Sequence, residues 1–442
     1  MPRSARSNTI AWLRCVLLLP LIGGMAVACS SADPTVAPTV RSEVLAVPKV
    51  TLIAAAMPAP TSSASPSAAA ASAPTSPAYP IATPTATPAP VLRPTLQLAQ
   101  RVDSMHGWAM AAHQLRWTDD GGAHWRTLAA PLTERQSIAN AFFLDINNGW
   151  MLIAGPDDPV KLTAQFSILR THDGGATWES SPLTHYTDCF NCIDRGWGDI
   201  LAGQSDALMF LNAREGWAQI DRSETVLSLH ADLFHTTDGG STWQKLPTMP
   251  VSGAFAFHTP RDGWQLGACC GGAPAQLQQT HDGGQTWQLV EFYNAPDYQA
   301  IALPTFFDAA TGVVPVAIRD AQFNYVGRVD FYTTDDGGQT WRAGTSFSLG
   351  GSTFQAIDRN DWLLGTNHAV YQTANAGQSW RTLSNAAEPV DFIRFMFADD
   401  MQGWAIALKP GCGGNCAVLM RTSDGGYGWE ALNPFYSDGQ IQ

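Results

Sequence analysis

The sequence predicts an all-β chain whose main part closes into a seven-bladed β-propeller of four-stranded antiparallel blades. A signal peptide and a disordered Pro/Ala/Ser/Thr tether precede it. Three observations carry this reading. The octamer Thr280-His281-Asp282-Gly283-Gly284-Gln285-Thr286-Trp287 recurs, with its length unchanged, at 118–125, 171–178, 236–243, 334–341, 373–380 and 422–429. A Gly-Trp pair precedes most copies, at 107–108, 149–150, 216–217, 263–264 and 403–404; Val313 replaces the Trp in the fifth unit, and Asp361 replaces the Gly before Trp362 in the sixth. Three residues before each octamer Thr stands an apolar residue: Leu115, Ile168, Leu233, Leu277, Phe331, Val370 and Leu419. A unit of about fifty residues with four short strands is what a propeller blade needs, and seven of them closed into a ring leave no long sheet edge exposed.

The N-terminal part reads differently. Arg3, Arg6 and Arg14 precede a short apolar run at 15–28, which is too short to cross a bilayer, for which about 20 residues are needed. The run ends Ala26-Val27-Ala28-Cys29, which is similar to the bacterial lipobox; that resemblance implies cleavage before Cys29 and lipid on its thiol. Residues 1–28 are therefore expected to be a lipoprotein signal peptide, with ordinary cleavage and secretion as the alternative. Residues 29–94 are expected to be the lipidated Cys29 and a Pro-rich tether, which at about 3.1 Å per residue could reach on the order of 200 Å. The propeller is expected over 95–442.

Within each unit, strand A is an apolar run such as 138–144 or 392–397, and a polar turn follows it. Strand B starts at Gly-Trp, strand C runs into the octamer, and strand D leaves from the octamer Trp. The paired glycines suit a tight turn with positive φ, and the Asp carboxylate can bond the turn's own N–H groups. Asp120, Asp173, Asp238, Asp282, Asp336 and Asp424, with Asn375 in the degraded sixth copy, are read as structural clips, because carboxylates in seven equivalent turns cannot all be general acids. Every blade is continuous in sequence, so the ring is expected to close by packing of the first blade on the last.

The formal net charge is −13, and residues 1–28 carry three arginines and no acid, so the cleaved chain is more acidic still. This argues against nucleic acid as a partner and against charge-driven binding to anionic lipid. No phosphate loop, dinucleotide fingerprint or HExxH motif is present, and neither a cofactor nor a metal is expected.

The repeated Thr-x-Asp-Gly-Gly-x-Thr-Trp boxes resemble the sialidase-type Asp-box (BNR) repeats. With the Gly-Trp landmark and seven copies, the chain is similar to the photosystem II stability/assembly factor propellers over about residues 95–435. The resemblance implies a non-enzymatic, extracytoplasmic chaperone of assembly that binds a protein partner. The family's partner surface is basic in places; here Arg116, Arg170 and Arg421 flank octamers, whereas His235, Gln279 and Gln372 hold the equivalent place elsewhere.

The spacing between landmarks varies in the B–C loops and in one D–A connection, while the octamers never change. In a four-strand meander those variable loops share one face, which is where binding is expected. The largest insertion, at about 185–204, carries Tyr186, Cys189, Cys192, Arg195 and Trp197. Trp197 and Arg195 are the expected anchors, since Trp and Arg dominate binding hot spots. Cys269 with Cys270, and Cys412 with Cys416, fall on the same face; disulfides suit an exported chain, and a four-cysteine zinc site is the alternative. Two other functions compete with the scaffold. A carbohydrate- or wall-binding module needs exposed aromatic platforms, for which Trp197 and Tyr186 are candidates. A glycoside hydrolase of the sialidase kind would need three convergent arginines, a Tyr–Glu pair and an acid Asp. Arg394 is the core-strand arginine to watch, and Arg93-Pro94 lacks the Ile of the Arg-Ile-Pro motif.

Overall fold

The computed structural model describes residues 96–435 except 156–162, 188–206, 226–227, 269–274, 293–294, 296–297, 320–325, 352, 367–368, 386–389 and 409–416. Among the described residues there is no helix, and the strands form seven antiparallel sheets, each continuous in sequence. Strands A to D follow in order across each sheet. The first strands of blades 1 and 2, 2 and 3, 6 and 7, and 7 and 1 touch one another, which places strand A innermost. The apolar column before the octamers lies in the core: Ile168, Leu233, Leu277, Phe331 and Val370 are fully buried, and Leu115 and Leu419 nearly so.

Blade 5 departs from four strands. Its strand A is broken into Tyr298–Ala300 and Thr305–Phe306, both pairing with strand B, Gly312–Arg319. Pro304 lies in the gap and Pro315 stands in strand B opposite it; neither has an N–H to give to a ladder.

The Gly-Trp landmark is an inter-blade joint. Gly149, Gly216, Gly263, Gly312 and Gly403 pair with Phe143, Phe210, Phe257, Phe306 and Phe397 at the end of strand A. The Phe ring lies against the glycine, so that a Cβ at Gly263 or Gly403 would meet Phe257 or Phe397 at 2.6 Å. Glycine is needed there for close approach, not for an unusual φ. The Trp beside it then stacks on the Phe of the following blade: Trp150 on Phe210 at 3.6 Å and 9°, and Trp217 on Phe257 at 3.8 Å and 3°.

Blade 6 corrects the sequence reading. Trp362, not Asp361, pairs with Ala356 of strand A and Thr373 of strand C, so Trp362 itself occupies the glycine position and Leu363 takes the Trp place. The bulk has changed sides: in place of Phe over Gly, blade 6 has Ala356 beside Trp362, both buried.

The ring closes as expected, with no strand shared between the termini. Trp404 of blade 7 donates its indole N–H to the Gly121 carbonyl of blade 1 (3.2 Å) and packs against Trp125 with ring centroids 5.5 Å apart. Leu432 fills the space over Gly122, and Leu96, Ala99, Ala109, Met396 and Leu419 complete the apolar cluster at this joint.

Blade 1 carries local strain. Its B–C turn places Ala112 and His113 at φ of 48° and 59°, a left-handed conformation that costs a non-glycine residue about 1–2 kcal/mol. Ala112→Gly is expected to raise stability by about 0.5–1 kcal/mol, read as a higher midpoint in chemical denaturation. An unchanged or lower midpoint would mean that the turn is not strained.

Candidate binding face

The A–B and C–D turns form one face, and every described carboxylate of the octamers is used there. In blade 4, Thr280 donates its hydroxyl to Asp282 Oδ1 (2.8 Å) and accepts the Gly284 N–H (2.9 Å). Asp282 accepts the Thr286 N–H on Oδ1 (2.8 Å) and the Thr286 hydroxyl on Oδ2 (2.7 Å). The same core of bonds appears in all seven blades, including Asn375, which accepts from Thr373 and Ser379 and gives its amide to the Ser379 hydroxyl.

These bonds hold the carboxylates ionised. At Asp173 the Thr177 hydroxyl and amide, with the Thr171 hydroxyl, pull the carboxyl down to about 2. At Asp120, Asp238 and Asp336 partial burial pushes upward, but the hydrogen bonds outweigh it and the value is again about 2. Asp282→Ala is expected to cost about 2 kcal/mol of stability, and Asp282→Asn less than about 1, since Asn375 already does this work in blade 6. Equal losses in chemical denaturation would show that charge, not the bonding pattern, holds the turn.

The A–B turns, legible in the sequence only as polar, form a second ring with a shared role. Asp103, Asp145, Asn212, Thr259, Asp308, Asp358 and Asp399 open the seven A–B turns, and each accepts the N–H groups two and three residues on. The two rings are bolted together: the backbone N–H at the first Gly position of every octamer, or Ala376 in blade 6, donates to a carbonyl of the A–B turn. His172 and His281, at the second position of their octamers, bridge the same two turns through Asn148 and Asp262. A third device lies three residues after the octamer Trp. Leu128, Leu246, Leu383 and Leu432 each cover the second octamer Gly of the next blade, and Ser181 donates to the Gly240 carbonyl (2.6 Å) in the same place. The signal was in the sequence, as an apolar residue at a fixed offset in most blades.

The opposite face holds the B–C and D–A loops. Blade 3 sends out a long hairpin there, Gly216–Thr225 with Ser228–Thr236. Cys189, Cys192, Arg195, Trp197, Cys269, Cys270, Cys412 and Cys416 lie outside the described residues, as does Cys29. Tyr186 is a correction. Expected as an exposed aromatic platform, it is buried, and its hydroxyl donates to the fully buried Asp232 of blade 3 (2.7 Å). Lys245 reaches the same carboxylate oxygen (2.6 Å) and Thr248 the other (3.4 Å). Tyr186 ends the last strand of blade 2, so packing on the next blade buries its ring, and its polar tip needs the partner that Asp232 supplies. It ties blade 2 to blade 3 and does not face solvent.

The arginines beside the octamers are partly engaged. Arg170 bonds Glu179 and reaches Ser241 and the Asp238 carbonyl of the next blade, and Arg421 bonds Glu430 and reaches the Gly121 carbonyl. Arg394 lines a hollow of about 610 Å³ on the fastened face. Among the described residues no cluster of three or more His, Cys, Asp or Glu could hold a metal ion.

Fold and turns together define the class: a seven-bladed β-propeller with Asp-box turns, seven of them, one per blade. The family model for the BNR/Asp-box repeat matches residues 332–343, the turn of blade 5. A sialidase of Micromonospora viridifaciens is 25% identical over 204 residues, which cover 43% of this chain and 26% of that enzyme; the chain thus spans about a quarter of the length of this curated relative. Among solved structures, YCF48 bound to a D1 peptide matches with a TM-score of 0.49 and 16% identity over 74% of this chain and 93% of that one. YCF48 from Cyanidioschyzon merolae matches with a TM-score of 0.47 and 16% identity over 76% and 97%.

Proposed function

We propose that the protein is a non-catalytic, extracytoplasmic binding or assembly scaffold, anchored by lipid on Cys29, that offers its B–C and D–A loops to a protein partner. The observation that carries this reading is the division of labour between the faces. On one, the octamer carboxylates are spent on backbone N–H and hydroxyl groups, in a ring that stays constant from blade to blade. The other bears the loops that vary, on a scaffold whose joints are fixed. YCF48, also a propeller, is solved bound to a D1 peptide. The test is affinity capture from the native membrane with the tethered protein as bait. Specific recovery of a protein partner, lost when the blade 3 hairpin is shortened, is the expected result. Release of a Cys29→Ser variant from the membrane fraction would support the anchor.

A glycoside hydrolase is the second reading, and the 25% identical segment shared with a sialidase favours it. A panel of fluorogenic glycosides separates the two: turnover would overturn the scaffold, and none is expected. Binding of wall polysaccharide to the intact protein would instead assign the loop face to carbohydrate.

A further inference from the structure

We propose that the hollow on the fastened face, between the inner strands of blades 6, 7 and 1, binds a monocarboxylate through the guanidinium groups of Arg101 and Arg394. This site is independent of the loop face and of the scaffold reading.

The repeat breaks at Arg101. Arg101 ends strand A of blade 1 and pairs with Gly107, the place held by Phe143, Phe210, Phe257, Phe306 and Phe397 in five other blades. A phenylalanine there would stack as in those blades and bring no charge into the protein. The arginine instead puts a half-buried guanidinium 5.7 Å over the Trp404 ring. Burial pushes its pKa down, and the Arg421 charge adds to this against the pull of Asp399 and Asp103. A charge retained where the fold asks for a hydrocarbon points to a use beyond packing.

That charge is held by neutral groups. Arg101 donates Nε to the Asp103 carbonyl (2.9 Å) and Nη2 to the Ser104 carbonyl (2.7 Å) and to Gln402 (3.3 Å). No described carboxylate lies within ion-pair distance of it, and Nη1, out of contact with solvent, has no partner. Neutral carbonyls orient the fork, and Asp103 and Asp399 act on its charge only at a distance, so the guanidinium has no direct carboxylate partner of its own.

A second arginine converges on the same hollow. The hollow, about 610 Å³, is lined by Gln100, Arg101, Asp103, Ser104, Arg394 and Asp399 among others, a volume in the range of small-molecule sites. Arg394 enters it from the inner strand of blade 7, where the register with strand B slips between Phe392 and Arg394; such a bulge re-aims side chains. The carboxylates at the rim are committed to their own turns, Asp103 to the Met105 and His106 N–H groups and Asp399 to those of Met401 and Gln402. Their two negative charges oppose a dianion and leave room for a single one.

Titration calorimetry on the full chain, with acetate, glucuronate and inorganic phosphate as probes and chloride at matched ionic strength as the control, tests this. Saturable binding of acetate or glucuronate is expected, weakened at least tenfold in Arg101→Phe, with phosphate the weaker ligand. Arg101→Phe restores the residue of five other blades, so its unligated melting should stay close to that of the parent. Arg394→Met is the second variant and should weaken binding likewise. Absence of saturable binding in the parent, equal binding in both folded variants, or phosphate as the tighter ligand would each overturn the proposal. In the first two cases Arg101 is only a latch between blades 1 and 7.

Discussion

Trp362→Gly should be among the most damaging single changes in the propeller, costing about 4 kcal/mol, since deletion of a buried Trp side chain typically costs 3–5. Ala356→Phe should also destabilise, by about 2–3 kcal/mol, because the added ring has no room beside a buried Trp. The double variant should return to within about 1 kcal/mol of the parent. It recreates the Phe-over-Gly pair that blades 2, 3, 4, 5 and 7 use at the same register. Denaturant midpoints of the four proteins make a complete cycle. Additive losses would show that Ala356 and Trp362 are not exchanging volume and that the joint in blade 6 is built otherwise.

Acid should unfold the protein steeply between about pH 4 and pH 2. Asp120, Asp173, Asp238, Asp308 and Asp336 are each held at about 2, against an ordinary value of about 3.9. A depressed carboxyl contributes stability that is present above its unfolded value and is lost as the pH falls through its folded one. Asp103, Asp145, Asp262, Asp282 and Asp424 are lowered too, so many groups take up protons over one narrow interval. Asp361 runs the other way: burial, with Asp358 and Asp400 nearby, raises its pKa, and its protonation favours the fold. Melting temperatures should be nearly level from pH 7 to 5 and fall sharply below 4. A midpoint that falls mainly between pH 7 and 5 would show that these carboxylates do not set the acid limit of stability.

The architecture was legible because the octamer states its own chemistry. Its Thr, Asp and paired Gly are the atoms that the turn consumes, and their recurrence counts the blades. The apolar column was legible for the same reason, since a residue at a fixed offset from a turn must face the same side of strand C. What a single unit cannot display is which blade a side chain touches. Gly-Trp marked the start of strand B correctly, yet its purpose, a Trp laid on the next blade's Phe, appears only when two units stand side by side. Trp362 misled because Asp361-Trp362 looks like a mutated Gly-Trp, whereas pairing with Ala356 shifts it by one residue, and one residue in a strand changes the face. Tyr186 misled for a related reason: a tyrosine beside a long insertion looks exposed until blade 3 is packed against it. The A–B turns were seen as polar, but Asp, Asn and Thr share one role there only through the oxygen they present to the same pair of N–H groups.

The account stands on the claim that the Asp-box face fastens the ring while the loop face recognises a partner. The most direct measurement compares partner capture from native membranes by two variants of the tethered protein. One carries Asp282→Asn in an octamer; the other has residues 188–206 replaced by a Gly/Ser linker of equal length. The Asp282→Asn protein should retain the partner at the parent's level and the loop-replaced protein, still folded by its melting profile, should lose it. Capture that survives loop replacement and fails with Asp282→Asn would place recognition on the Asp-box face and contradict the account.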